Sequence, residues 1–85
     1  METTVEADIR QVLREHARLP VDADSLDSYA DLFQAGMSSH ASVNVMLALE
    51  DTFDIEFPDA MLKRSAFESI AAIRSAVSQL RAEAA

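Results

Sequence analysis

The sequence predicts an all-α fold: a small antiparallel four-helix bundle, three main helices and one short one, with a long first loop. Three observations carry this. The 85 residues include one glycine and two prolines, too few turn formers for β structure, which needs repeated turn signals. Apolar residues make up 49% and charged residues 26%, the balance of a globular chain. Apolar positions recur at helical spacing in three long stretches, and none alternates as a strand would. A chain this short supports one core, so residues 1–85 are expected to form a single domain.

The first helix is expected over about 4–17. Thr3 followed by Glu6 matches a capping box, and Val5, Ile9, Val12, Leu13 and His16 repeat at helical spacing before Pro20 stops the run. Residues 19–37 form a long connection, with Leu26, Tyr29, Leu32 and Phe33 as its expected apolar pins. The second helix is expected over 39–53. A short third helix over 59–64 follows Pro58, because proline suits a first helical turn. The fourth, over 69–82, has Ser69 as N-cap and Ile70, Ile73, Val77 and Leu80 as one buried stripe.

The second helix carries two faces. At about 100° per residue, Val45, Met46, Leu49 and Phe53 cluster around the direction of Ser42, an ordinary core stripe. His40, Val43, Leu47, Glu50, Asp51 and Asp54 fall on the neighbouring face, apolar near the start and acidic toward the end. Val43 and Leu47, one turn apart and rimmed by acids, have the make-up of a transient docking surface. The competing expectation is that they pack against the long loop or the third helix.

The formal net charge is −8. Residues 19–62 hold nine acids and no Lys or Arg. Such a surface repels phosphate backbones, so nucleic-acid binding is not expected. It steers basic partners, or it simply keeps a small protein soluble. There is no cysteine, hence no disulfide, thiolate nucleophile or sulfur ligand for a metal. The acidic start METTVEAD lacks the apolar region of a signal peptide, and no apolar run is long enough to span a bilayer. A cytoplasmic monomer is expected, with no membrane partner.

Within AGMSSHASV, residues 35–43, the only glycine stands just before two adjacent serines. Gly36 allows a tight turn into the second helix. Ser39 at the helix start serves either as an N-cap or as a modification site, since a helix N-terminus favours a phosphate group. A hydrolase built on Ser39 and His40 is excluded, because adjacent helical residues diverge by about 100°. Asp22, Asp24 and Asp27 lack the glycine and glutamate spacing of a calcium loop, and no metal site is expected.

The segment DLFQAGMSSHASVNVMLALEDTFDIEFPD resembles the acyl carrier protein family, peptidyl and aminoacyl carrier domains included. The resemblance runs from about Asp31 to Leu80, with Gly36, Ser39, Met46, Ala48, Leu49, Glu50, Phe53, Asp54, Ile55, Glu56 and Pro58 in register. It implies that Ser39 is the attachment point for 4′-phosphopantetheine, taken from coenzyme A through a phosphopantetheinyl transferase. A chain without cysteine can hold a thioester only through such a group. The protein is then a carrier, not an enzyme. Its docking face, His40, Val43, Leu47, Glu50, Asp51 and Asp54, would present the arm to partners.

Two departures stand out. The family's Asp before the modified serine is Ser38, leaving two adjacent hydroxyls; Gly36 and Phe53 set the spacing that selects Ser39. The family's Leu after it is His40, which replaces an apolar contact with a hydrogen-bonding ring. The run MSSHAS resembles stand-alone bacterial aminoacyl carriers. That implies charging by an amino acid–carrier protein ligase of the class II synthetase-like kind and unloading by an acyl transferase. The alternatives are a carrier for fatty-acyl, polyketide or peptide synthesis, and an unmodified acidic helical adaptor.

Overall fold

The structure, a computed structural model, describes residues 2–84, with side chains for residues 5–83. Five α-helices follow in order: α1 (Glu2–His16), α2 (Leu32–Ala35), α3 (Ser39–Phe53), α4 (Arg64–Phe67) and α5 (Ile70–Ala84). Short 3-10 turns lie at Ala23–Ser25 and Asp59–Met61. No strand occurs among the described residues. This is the all-helical bundle that the periodicity predicts.

The three long helices bury one stripe each. α1 packs against both α3 and α5. The fully buried centre combines Ile9 and Leu13 of α1, Val45 and Leu49 of α3, and Ile70, Ile73 and Val77 of α5, with Leu32 from the loop region. Each such side chain contributes about 1.5–3 kcal/mol on leaving water. No polar or charged residue is buried among the described residues, so apolar contact holds the helices together.

α1 stops before Pro20 is reached. Ala17 N–H still donates to the Leu13 carbonyl at 3.0 Å, and Arg18 then takes a left-handed φ of 55°. At the other end α1 already begins at Glu2, so Thr3 is not its N-cap; the Thr3 side chain lies outside the described ones. Glu6, expected in a capping box, turns to the long loop instead.

That loop is tied down mainly by polar groups. Arg10 donates to the carbonyls of Ala23 at 2.7 Å and Leu26 at 2.9 Å, while its other nitrogens reach the Glu6 carboxylate at 3.0 and 3.2 Å. Ser28 Oγ donates to Glu6 at 3.2 Å, and the Ser28 carbonyl accepts from Ala71 N–H at 2.8 Å. Leu32 is buried and Leu26 and Phe33 are half-buried, as expected of pins. Tyr29 is not a pin: it is 78% exposed. Its N–H is taken by the Asp27 carboxylate at 2.9 Å in an Asx turn, which leaves the ring outside.

The expected helix over 59–64 is also corrected. Asp59–Met61 forms one 3-10 turn after Pro58, and Lys63 N–H then donates to the Met61 carbonyl at 3.0 Å. With Leu62 at φ −85° and ψ 68° this is an inverse γ-turn. It breaks the helix, and Lys63, extended at φ −142° and ψ 159°, leads into α4. Ser69 caps α5, its hydroxyl accepting from Ala72 N–H at 3.0 Å.

Candidate functional site

The approach to α3 is built residue by residue. Asp31 caps α2 by accepting from the N–H groups of Phe33 at 2.9 Å and Gln34 at 3.2 Å. α2 ends in a Schellman motif: Gly36 N–H donates to Phe33 and Met37 N–H to Leu32. Gly36 has φ +125°, and a Cβ there would meet Pro20 Cδ at 2.7 Å. Met37, 3% exposed, anchors the chain in the core immediately before the serine pair.

The two serines then divide the work. Ser38 has extended backbone, and its Oγ accepts from Ala41 N–H at 3.0 Å, so Ser38 is the N-cap of α3. An Asp at this position would do the same task. Ser39 is the first residue of the helix and is exposed; among the described residues no hydrogen bond involves its hydroxyl. Its carbonyl accepts from Ser42 Oγ at 2.6 Å. Ser39 was the alternative N-cap on sequence grounds, and the geometry assigns that task to its neighbour.

Beside Ser39 lies an open groove of about 410 Å³. α3 contributes Ser39, Ser42, Val43 and Met46 to one wall, and Phe33, Leu62 and Phe67 supply the apolar remainder. Among the described residues, Lys63 and Arg64 are its only charged lining residues. The Arg64 guanidinium carbon lies 4.2 Å from the centre of the Phe33 ring. Sequence periodicity missed Leu62, Lys63 and Arg64, because the γ-turn that brings them to the groove has no period. The one available signal was the abrupt end of the acidic window at residue 63.

The outer face of α3 carries Val43, 50% exposed, and Leu47, 53% exposed. Both remain half exposed, although Val43 also lines the groove with Phe33, Leu62 and Phe67. His40, Asp51 and Asp54 are exposed on the same helix. Asp54 is also the C-cap, in a left-handed conformation that Asp tolerates better than most residues. Glu50 stands apart from this group. It is half-buried, and its carboxylate accepts from Phe57 N–H at 2.9 Å, tying the following loop back to α3.

An exposed serine at a helix start, freed of capping, beside an apolar groove and an apolar face rimmed by acids, suits one class: a small helical protein that holds an attached group for others. The family model described as the phosphopantetheine attachment site matches residues 7–77. The chain therefore belongs to the phosphopantetheine-binding carrier family, whose members carry 4′-phosphopantetheine and are not catalysts. It is 49% identical over 71 residues to the aminoacyl carrier protein of Agrobacterium fabrum, covering 84% of this chain and 86% of that one. It also matches a crystal structure of an engineered Bradyrhizobium japonicum glycine:[carrier protein] ligase complexed with a carrier protein from Agrobacterium tumefaciens and ATP. There the TM-score is 0.86 and the identity 47%, over 88% of this chain and 97% of the other. A solution structure of an Agrobacterium tumefaciens protein matches with a TM-score of 0.72 and 46% identity, over 94% of this chain and 99% of that one.

The residues present fit the prosthetic group. Ser39 offers an exposed hydroxyl, the first turn of α3 offers backbone N–H groups without helical carbonyl partners, and two cations line the adjoining groove. Among the described residues no group of three or more His, Asp and Glu could hold a metal ion, and no helix is long and apolar enough to cross a membrane.

Proposed function

We propose that this chain carries an amino acid as a thioester on a 4′-phosphopantetheine arm attached to Ser39. The observation that carries the choice of residue is the hydrogen bond from Ala41 N–H to Ser38 Oγ. It commits one of two adjacent hydroxyls to structure and leaves the other exposed. Attachment forms the bond from the Ser39 oxygen to phosphorus and breaks the pyrophosphate link of coenzyme A. The adenosine bisphosphate half leaves, and the serine proton is lost to the transferase or to water.

The amino-acid cargo rests on the 49% identity to the aminoacyl carrier protein and on the match to a carrier bound by a glycine:[carrier protein] ligase. The partners are then a phosphopantetheinyl transferase, an amino acid–carrier protein ligase and a downstream acyl transferase, in a cytoplasm that supplies coenzyme A. His40, Val43, Leu47, Asp51 and Asp54 form the face that meets them. Glu50 contributes charge from a position that it holds for structural reasons. His40, exposed next to Ser39, suits a partner that offers it a hydrogen-bond acceptor.

Intact mass spectrometry tests the reading in two stages. The protein is incubated with coenzyme A and a broad-specificity transferase, alongside Ser38→Ala and Ser39→Ala. One added phosphopantetheine in the wild type and in Ser38→Ala, and none in Ser39→Ala, is expected. The holo protein is then offered to a carrier-protein ligase with ATP and amino acids, and separately to malonyl and fatty-acyl loading enzymes. Loading by the latter alone would overturn the aminoacyl assignment.

A further inference from the structure

The chain is strongly acidic, with seven basic residues against fifteen acids, so an unpaired cation needs a reason. Arg10 and Arg74 meet Glu6, and Arg14 meets Asp24 at 2.6 Å. Arg81 lies over Phe53 at the far end of α3, and Arg18 is exposed just past the end of α1, away from the groove. Lys63 and Arg64 are adjacent, lie just outside a window of nine acids, and make no ion pair among the described residues. Both line the groove that Ser39 opens onto, and among the described residues no acid lines it with them.

The local backbone explains how they come to be there. The inverse γ-turn at Leu62 breaks the helix and hands the chain to Lys63 and α4 beside the groove. The Arg64 guanidinium carbon is held over the Phe33 ring, 4.2 Å from its centre. The Arg64 side-chain N–H groups make no hydrogen bond or ion pair among the described residues, and a guanidinium's N–H groups are the ones that fork onto phosphate oxygens. Lys63 adds a compact positive charge on a flexible stem. The remaining walls are apolar.

We propose that Lys63 and Arg64 are the anion-binding half of the seat for the prosthetic arm. The pair holds the phosphodiester on Ser39 while Val43, Met46 and Leu62 take the apolar length of the pantetheine. The proposal rests on the carrier reading, in which Ser39 bears the arm. It adds that this chain binds its own arm noncovalently, through two cations that adjoin the acidic stretch of residues 19–62. Each exposed cation holds a phosphate weakly and reversibly, so the arm can still leave the groove to reach a partner.

The test is nuclear magnetic resonance on the holo protein, with methyl-labelled protein and an unlabelled arm. Intact mass first establishes one arm per chain and peptide mapping places it on Ser39. Cross-relaxation between the pantetheine methyl protons and the methyls of Val43, Met46 and Leu62 then reports docking. Lys63→Gln is expected to weaken those signals about twofold to fivefold, the range for a surface ion pair, and Lys63→Arg to restore them. Arg18→Gln, which removes an exposed cation outside the groove, controls for net charge and should change nothing. The Lys63 side chain makes no hydrogen bond or ion pair among the described residues, and its backbone bonds to Met61 and Ala66 survive substitution, so its variants fold as the wild type does. A wild type that accepts no arm overturns the carrier reading and this proposal together. A holo protein with the arm on Ser39 whose signals are absent, or equal in wild type and Lys63→Gln, overturns this proposal alone.

Discussion

Gly36 and Pro20 approach so closely that a methyl group added at Gly36 would sit 2.7 Å from Pro20 Cδ and 3.2 Å from Pro20 Cγ. The two residues come from opposite ends of the long loop. Their contact closes the loop just before the serine pair, at the one position whose φ of +125° only glycine adopts without strain. Gly36→Ala is therefore expected to lower stability by about 1–3 kcal/mol, the usual strain of such a backbone position. Chemical denaturation measures this. A change within a few tenths of a kcal/mol would show that the loop can move aside.

The serine pair predicts opposite costs for two equivalent changes. Ser38→Ala loses the N-cap of α3 and should cost about 0.5–2 kcal/mol while the protein still takes up its arm. Ser39→Ala should leave the denaturation midpoint nearly unchanged and abolish uptake. Equal stability losses in the two variants would contradict the division of labour drawn from the Ala41 N–H bond.

Acid should loosen the first loop. The hydrogen bond from Arg10 lowers the Glu6 pKa below the ordinary carboxylate value. Partial burial opposes this, while the Ser28 hydroxyl and the charges of Arg10 and Arg74 assist. A carboxylate whose folded pKa lies below its unfolded one stabilises the fold above the unfolded value, and loses that contribution as pH falls through the folded value. Denaturation midpoints taken from neutral pH downward should fall, and Glu6→Gln should be less stable at neutral pH with a flatter profile. A profile equally steep in the variant would assign the acid sensitivity to other carboxylates.

The acidic face predicts a rate effect. Asp51→Lys and Asp54→Lys should slow association with a charging ligase by about threefold or more at low salt, and added salt should erase the difference. Glu50 is a poor probe, because its carboxylate also holds Phe57 N–H; Glu50→Lys would mix lost docking with lost stability. Stopped-flow association rates that ignore both charge and salt would reduce the face to a solvated surface.

The groove also predicts where the cargo stays. An α-ammonium group at the end of an aminoacyl arm would lose its hydration among Phe33, Met46 and Phe67, with Lys63 and Arg64 nearby. The aminoacyl end is expected to remain in solvent, whereas a neutral acetyl thioester of similar size can enter. Hydrogen-exchange protection or methyl shifts of Met46 that respond alike to the two loads would refute this.

The sequence by itself determined the helical class, the three main helices and the face each buries, because burial in a bundle repeats with the helix period and needs no distant partner. It also showed the register around Gly36 and Ser39, and the acidic, apolar-centred outer face of α3, since all of these lie within one continuous segment. Only the tertiary structure decided which serine caps the helix, because 38 and 39 are both chemically suited and one hydrogen bond separates them. Only it turned Tyr29 outward, drew Glu50 into a structural bond with Phe57, and replaced the short third helix by a γ-turn that puts Lys63 and Arg64 beside Ser39. Those outcomes depend on single short-range hydrogen bonds, two to seven residues apart, and on individual backbone angles, which no periodic pattern encodes.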